Sequence, residues 1–410
     1  MQDETMGDPA GVAHGAVPEP TTCGLEHVVV VTMENRSYDH FLGWVPGGDG
    51  RQAGLHYPDP TGRRVSTYPL APDYQGCGHA NPDHSYAGGR IAFAQGACDG
   101  WLRTAAADTY ALGYYTAADL AFLGQAALQW TVCDRYFAAI MAETYPNRLY
   151  LHAAQTDRLG DTLALSGLPT IWDRLAAAGR AGRYYFSDLP FLLLWGLTYL
   201  PICRPLDHFF ADCARGTLPA VSYVDPRFLG EGGGTSGDDH PPSDIRNGEA
   251  FLQQIYAAVT ASPAWPHTLL IITFDEWGGF YDHVPPPVAP LPEADRAAGN
   301  TDGRLGFRVP TLLVAPWARR GHVAHEQYDH TSILALIAWR WGLEPLTVRD
   351  ASAGNLATAL DFGHTDLSAP RITAPPGPFG GPCPAEGAAH GAVWAALRGL
   401  VPQVGWPRLR

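Results

Sequence analysis

Apolar and polar positions along this chain follow two periods, and each change of period marks an element. The run His27-Val28-Val29-Val30-Val31-Thr32-Met33 is apolar and β-branched almost throughout, the pattern of a strand buried on both faces, and it ends in Glu34-Asn35. A second such run, Thr268-Leu269-Leu270-Ile271-Ile272-Thr273-Phe274, ends in Asp275-Glu276. Shorter candidate strands are Arg183 to Phe186, Ala220 to Val224 and Val309 to Ala315. Between them, apolar residues three or four apart predict helices over Tyr110 to Trp130, Asn147 to Ala154, Ile171 to Ala178, Asn247 to Thr260 and Ser332 to Trp341. The clearest is Asn247 to Thr260, with Phe251, Ile255 and Val259 on one stripe. Strands alternating with helices imply an α/β fold around a mostly parallel sheet covered on both faces.

The remaining stretches set the domain plan. Residues 1–24 are polar, carry Gly and Pro, lack periodicity and read as a flexible N-terminal arm. Residues 25–369 read as a single catalytic domain whose stretch from about 45 to 105, dense in Gly, Pro, Asp and His, forms a loop insertion over the sheet. Residues 370–410 read as a Gly/Pro-rich tail ending in a short helix. With 410 residues and 46% hydrophobic content the chain can bury a large core. Its formal charge of −14 argues against nucleic acid as a partner, because the summed field repels phosphates away from any local site. Seven cysteines stand without a Cys-x-x-Cys pair, which argues against structural zinc; a bridge such as Cys77 with Cys98 is compatible with the sequence but not shown by spacing. No signal peptide or transmembrane segment is visible.

The candidate chemistry sits at the strand ends. In open α/β sheets ligands bind beyond the C-terminal tips of the strands, and Glu34, Asn35, Asp275 and Glu276 put four oxygen donors there. An all-oxygen set suits one hard divalent ion, calcium, magnesium or manganese in preference to zinc. Glu34-Asn35 can also be read as a simple strand-to-helix turn. Thr144, just before Pro146 and a predicted helix, is the nucleophile candidate: its hydroxyl lies where helix amides and dipole favour an oxyanion, and a metal would lower its pKa. A plain N-cap is the alternative for Thr144. His84 and His240, in turn-rich segments beside Asp83 and Asp239, are candidates for phosphate contact or proton donation, with His208 a weaker one. His330 reads as part of a helix cap. Trp44, Tyr86, Trp101 and Tyr115 could meet an apolar alcohol or anchor loops.

At Val30 to His40, Thr144 to Tyr150, Asp238 to Ile245, Asp275 to Val284 and Arg308 to Ser332 the chain resembles the phosphoesterase family of bacterial phosphatidylcholine-type phospholipases C, plant nonspecific phospholipases C and related acid phosphatases. The resemblance implies an alkaline-phosphatase-like three-layer α/β/α sandwich. It implies metal ligation by residues matching Glu34, Asn35, Asp275 and Glu276, with the Thr144 hydroxyl both at the metal and the nucleophile of a phosphothreonine intermediate. His84 and His240 match histidines lining the phosphate site, and Asn147 falls within the matching segment as a further phosphate-site candidate. Trp277 departs from the family, whose members commonly carry histidine there, and the short C-terminus lacks the extra β-domains of larger members. The expected activity is metal-dependent phosphodiester hydrolysis of a phospholipid, with transient membrane-surface contact. Acid phosphatase action on small phosphate monoesters is the alternative, and a non-catalytic metal- or phosphate-binding protein the reading from another class. Relatives of this kind are commonly secreted or periplasmic, a location that applies here if Met1 is not the native start.

Overall fold

The computed structural model describes residues 17–383 and 392–405; most of the N-terminal arm and part of the Gly/Pro-rich tail lie outside the described residues. Its centre is an eight-stranded sheet of β1 (His27–Met33), β2 (Thr131–Cys133), β3 (Gly182–Phe186), β4 (Cys203–Pro205), β5 (Val221–Val224), β6 (Thr268–Phe274), β7 (Leu312–Val314) and β8 (Val323–Ala324). They lie in the order β8-β2-β7-β6-β1-β5-β3-β4. From β6 to β4 every neighbour runs parallel; β7 is antiparallel to both β6 and β2. The fold is therefore α/β with a mostly parallel sheet. Val28 to Val31 and the whole of β6 are buried, so both faces of the sheet are covered, as continuous apolar runs require.

The helices that matter for the site are α1 (Tyr38–Leu42), α2 (Thr144–Ala153), α3 (Ile171–Ala177), α4 (Leu206–Arg215), α5 (Ile245–Thr260), α6 (His330–Trp341) and α7 (Ala392–Arg398). Their ends follow local chemistry: Asp244 caps α5, Asp329 with Ser332 forms a capping box on α6, and Gly342 ends α6 in the left-handed region. No helix among the described residues is long and apolar enough to cross a membrane.

Two expectations change. The predicted helix over Tyr110 to Trp130 is instead a 3-10 turn at Thr109–Leu112, a two-residue strand at Gly113–Tyr114 and a short helix at Leu123–Ala126. Gly113 packs so closely on Leu70 that a Cβ would clash, and Asp119 accepts from the Thr116 amide and hydroxyl, closing a local turn instead of a helix. The predicted strand at Val309 to Ala315 shrinks to Leu312–Val314, because Pro310 has no amide to give a ladder.

Cysteine pairing also differs from the bridge considered from sequence: Cys77 is bonded to Cys383, 306 residues away, and Cys98 is a free, buried thiol. The aromatic loop residues act as anchors. Trp101 and Tyr115 are buried, Tyr115 Oη donates to the Asp73 carbonyl, and Trp44 Nε1 donates to the Phe41 carbonyl.

Candidate active site

The parallel register of β1 and β6 pairs Met33 with Phe274, so the two strands end side by side and deliver Glu34-Asn35 next to Asp275-Glu276. All four residues are buried. Asn35 has φ 60°, a left-handed conformation that asparagine tolerates and that is uncommon for a residue with a side chain. Gly278 lies against it, and any Cβ there would fall 2.1 Å from the Asn35 carbonyl oxygen, so the Asp275-Glu276 turn needs glycine at that point. The Asn35 amide in turn donates to Asp275 Oδ1, at 3.2 Å.

Thr144 is the first residue of α2. The cap position is Glu143, whose side chain makes no capping hydrogen bond. Four residues on, and therefore on the same face of the helix, stands Arg148. Its buried guanidinium reaches Glu34 at 3.2 Å, Asp225 at 3.3 Å and Asp275 at 3.0 Å. These are the acids at the ends of β1, β5 and β6, so one arginine docks the Thr144 helix onto three strand tips. Neither Arg148 nor Asp225 was singled out from sequence; the only available signal was the four-residue spacing from Thr144.

The first turn of α2 offers an anion less than its sequence suggests. The Tyr145 amide donates to Asp161 Oδ1 at 2.6 Å, and Pro146 has no amide, so two backbone positions are closed to phosphate. Asn147 is likewise committed: its Oδ1 accepts from the Ile140 amide, and its Nδ2 donates to the carbonyls of Ala142 and Glu143. It braces the turn that presents Thr144.

The two histidines come together from distant loops, with ring centroids 6.3 Å apart. His84 Nδ1 donates to the Pro82 carbonyl at 2.8 Å, which turns Nε2 toward Asn35 Nδ2 at 3.3 Å and Glu276 Oε1 at 3.8 Å. His240 Nδ1 lies against the Pro241 carbonyl and 3.5 Å from Glu231 Oε2. The His240 loop is tied to the tip of β1: the Glu34 amide donates to the Asp238 carbonyl, and Arg36 donates to that of Asp239. His208 is not brought to this place. It is exposed on α4, beside β4 at the edge of the sheet, three strands away from β1.

His330 is the first residue of α6, behind the capping Asp329. It donates from Nε2 to the Asp275 carbonyl at 2.6 Å, and burial pulls its pKa down to about 4. It is thus a neutral support for the β6 tip.

The electrostatics of the centre are unbalanced. Burial pushes Glu34 well above the ordinary carboxylate range despite Arg148, and burial together with Asp275 does the same to Glu276. Asp225 is raised by burial to about 7 and Asp238 to about 8. Among the described residues, Glu34, Glu231 and Asp238 can bring one ligand atom each to within 4.8 Å of one another. Several oxygens here have no hydrogen-bond partner although they are buried: Asn35 Oδ1, Glu276 Oε1, Glu231 Oε1 and Asp238 Oδ2. Unpaired buried acceptors are costly, and a hard cation is the group that satisfies carboxylate and carboxamide oxygens together. The residues present therefore fit a divalent ion.

The Phosphoesterase family model matches residues 25–190 and 197–344. The chain is similar to non-specific phospholipase C6 of Arabidopsis thaliana, 31% identical over 394 residues that cover 86% of this chain and 74% of the relative. It is also similar to phospholipase C B of Mycobacterium tuberculosis, 30% identical over 452 residues covering 89% and 84% respectively. Among solved structures, a protein in the alkaline phosphatase superfamily from Vibrio parahaemolyticus shows a looser likeness, with TM-score 0.41 and 8% identity over 80% of this chain and 70% of that one.

Proposed function

Because the chain belongs to the phosphoesterase family and is a phosphoric ester hydrolase, we propose that it performs phospholipase C-type cleavage of a phosphodiester such as phosphatidylcholine through a phosphothreonine on Thr144. The observation that carries this reading is the docking of the Thr144 helix by Arg148 onto Glu34, Asp225 and Asp275. A hydroxyl four residues before that arginine shares its helix face, and open α/β sheets bind their ligands beyond the strand tips.

The ion would be held by Asn35 and Glu276, whose Oδ1 and Oε1 accept no hydrogen bond, with Glu34, Asp275 and Thr144 completing the set. When bound, such an ion supplies charge neutralisation of the phosphoryl oxygens and a lowered hydroxyl pKa. The chain does the rest. Thr144 Oγ1 attacks phosphorus in line with the departing glycerol oxygen; the Thr144 O–P bond forms as that P–O bond breaks. His84 protonates the leaving alkoxide from Nε2, its other nitrogen being fixed on the Pro82 carbonyl. Water then attacks the phosphothreonine and gives a proton to His84 as the Thr144 O–P bond breaks, so phosphocholine leaves, His84 is reprotonated and Thr144 returns to its ionised form. Positioning and electrostatics supply most of the rate, as in phosphoryl transfer generally.

Matched assays of a phosphatidylcholine and a phosphate monoester, each with and without chelator, test the reading. Faster, chelator-sensitive turnover of the diester is expected. Preferred turnover of the monoester would make the protein an acid phosphatase, and no turnover of either by ion-loaded protein would leave a binding protein.

A further inference from the structure

The Gly/Pro-rich tail does not trail away from the molecule. It is fastened at four points: Tyr256 Oη donates to the Pro370 carbonyl, Asn247 exchanges two hydrogen bonds with the Phe379 backbone, Gln75 donates to the Gly381 carbonyl, and Cys383 is bonded to Cys77. Beyond it, α7 buries Trp394, which lies flat on Phe228 with ring centroids 3.6 Å apart and planes 2° from parallel. The Trp394 indole N–H is shared by both oxygens of Glu34, 3.0 Å from Oε1 and 3.1 Å from Oε2.

That near-equal spacing has a chemical meaning. A carboxylate has about four lone-pair directions, two on each oxygen. A donor equidistant from both oxygens occupies the face between them, which is where a chelated cation would sit. Arg148 takes a further direction on Oε1. What stays open is the outer side of Oε2 alone. We propose that Trp394 is a positioning residue that confines Glu34 to one-oxygen ligation and so sets which ion the centre prefers. Calcium gathers six to eight oxygens and readily takes carboxylates two oxygens at a time, whereas magnesium requires single oxygens in a near-octahedral set. With its chelating face covered, Glu34 favours magnesium, and manganese with it, over calcium. This inference rests on the reading of Glu34 as a ligand.

The test is calorimetric titration of chelator-stripped protein with calcium and with magnesium alone. In Trp394→Phe the ring stack on Phe228 is kept and the N–H is removed. Calcium affinity should rise about tenfold relative to magnesium, the scale on which groups behind a ligand act. An isosteric change, benzothienylalanine at position 394, replaces the N–H by sulfur without altering the packed shape and should give the same shift. An unchanged calcium-to-magnesium ratio in the isosteric variant overturns the proposal. Glu34→Gln separates the two levels: weaker binding of both ions supports the ligand, while unchanged binding of both overturns the ligand reading and this inference with it.

Discussion

Two buried acidic clusters in this molecule look alike by composition and differ in what surrounds their oxygens. One is Asp39, Asp282 and His283, whose ligand atoms lie within 4.8 Å of one another, around Arg308. There every carboxylate oxygen is engaged. Asp39 Oδ1 accepts from Arg308 and the Arg51 amide, and Oδ2 from the His283 ring and amide. Asp282 accepts from Arg308 on both oxygens and from the Val284 amide. Burial opposes a charged His283 ring, but the hydrogen bond and charge of Asp39 outweigh it and raise the pKa. At the strand tips, Arg148 faces Glu34, Asp225 and Asp275, with Glu231, Asp238 and Glu276 close by, and four oxygens stand unpaired. Acidity alone does not tell the two clusters apart; unpaired buried acceptors do.

The contrast can be broken in several ways. The largest effect belongs to Thr144→Ala, which should lower phosphatidylcholine turnover by about 10⁴-fold or more with unchanged thermal stability. Ordinary turnover in that variant would sink the nucleophile. Next, Arg308→Met leaves Asp39 and Asp282 as uncompensated buried charges and should cost about 3–5 kcal/mol in denaturant unfolding without altering ion affinity. If ion affinity fell instead with stability intact, the Arg308 cluster would be the metal site.

Glu276→Gln should do the reverse, weakening ion binding by calorimetry about 10–100-fold while the chelated protein keeps its melting temperature. The smallest effect is one of pH. Asp225 and Asp238, raised by burial to about 7 and about 8 from an ordinary 3.8, keep protons in the folded state that the unfolded chain releases. Chelated protein should thus lose stability as pH rises from about 4 to about 8, by about 1 °C in Tm per kcal/mol of linkage for a chain of this length. Added ion should restore it most at the upper end. A melting temperature that is flat with pH would show that the strand-tip carboxylates are already compensated.

The strand tips could be read in the sequence because a long β-branched run can only be a buried strand, and polar residues directly after it must emerge at its end. Helix α5 was legible for a similar reason, its stripe recurring over four turns. The Tyr110 to Trp130 region misled because its apolar spacing mimics a helix while Gly113 and the Thr116–Asp119 turn commit it to wrapping the core. Arg148 was hidden by its type: an arginine in a helix usually faces water, and only the convergence of three strands makes it a buried hub. Trp394 was hidden by distance, 360 residues from Glu34 behind a tail whose composition predicts a linker.

The sequence by itself determined five of the eight strands of the sheet, the oxygen-bearing residues after two of them, the hydroxyl of Thr144 ahead of a helix and the family, since each depends on a local pattern or an ordered set of motifs. The tertiary structure decided which acids are paired and which are left open, which arginine joins the Thr144 helix to the strands, and which groups take the oxygens of Glu34. Those are matters of partner count in a space water does not reach, and no local pattern records them.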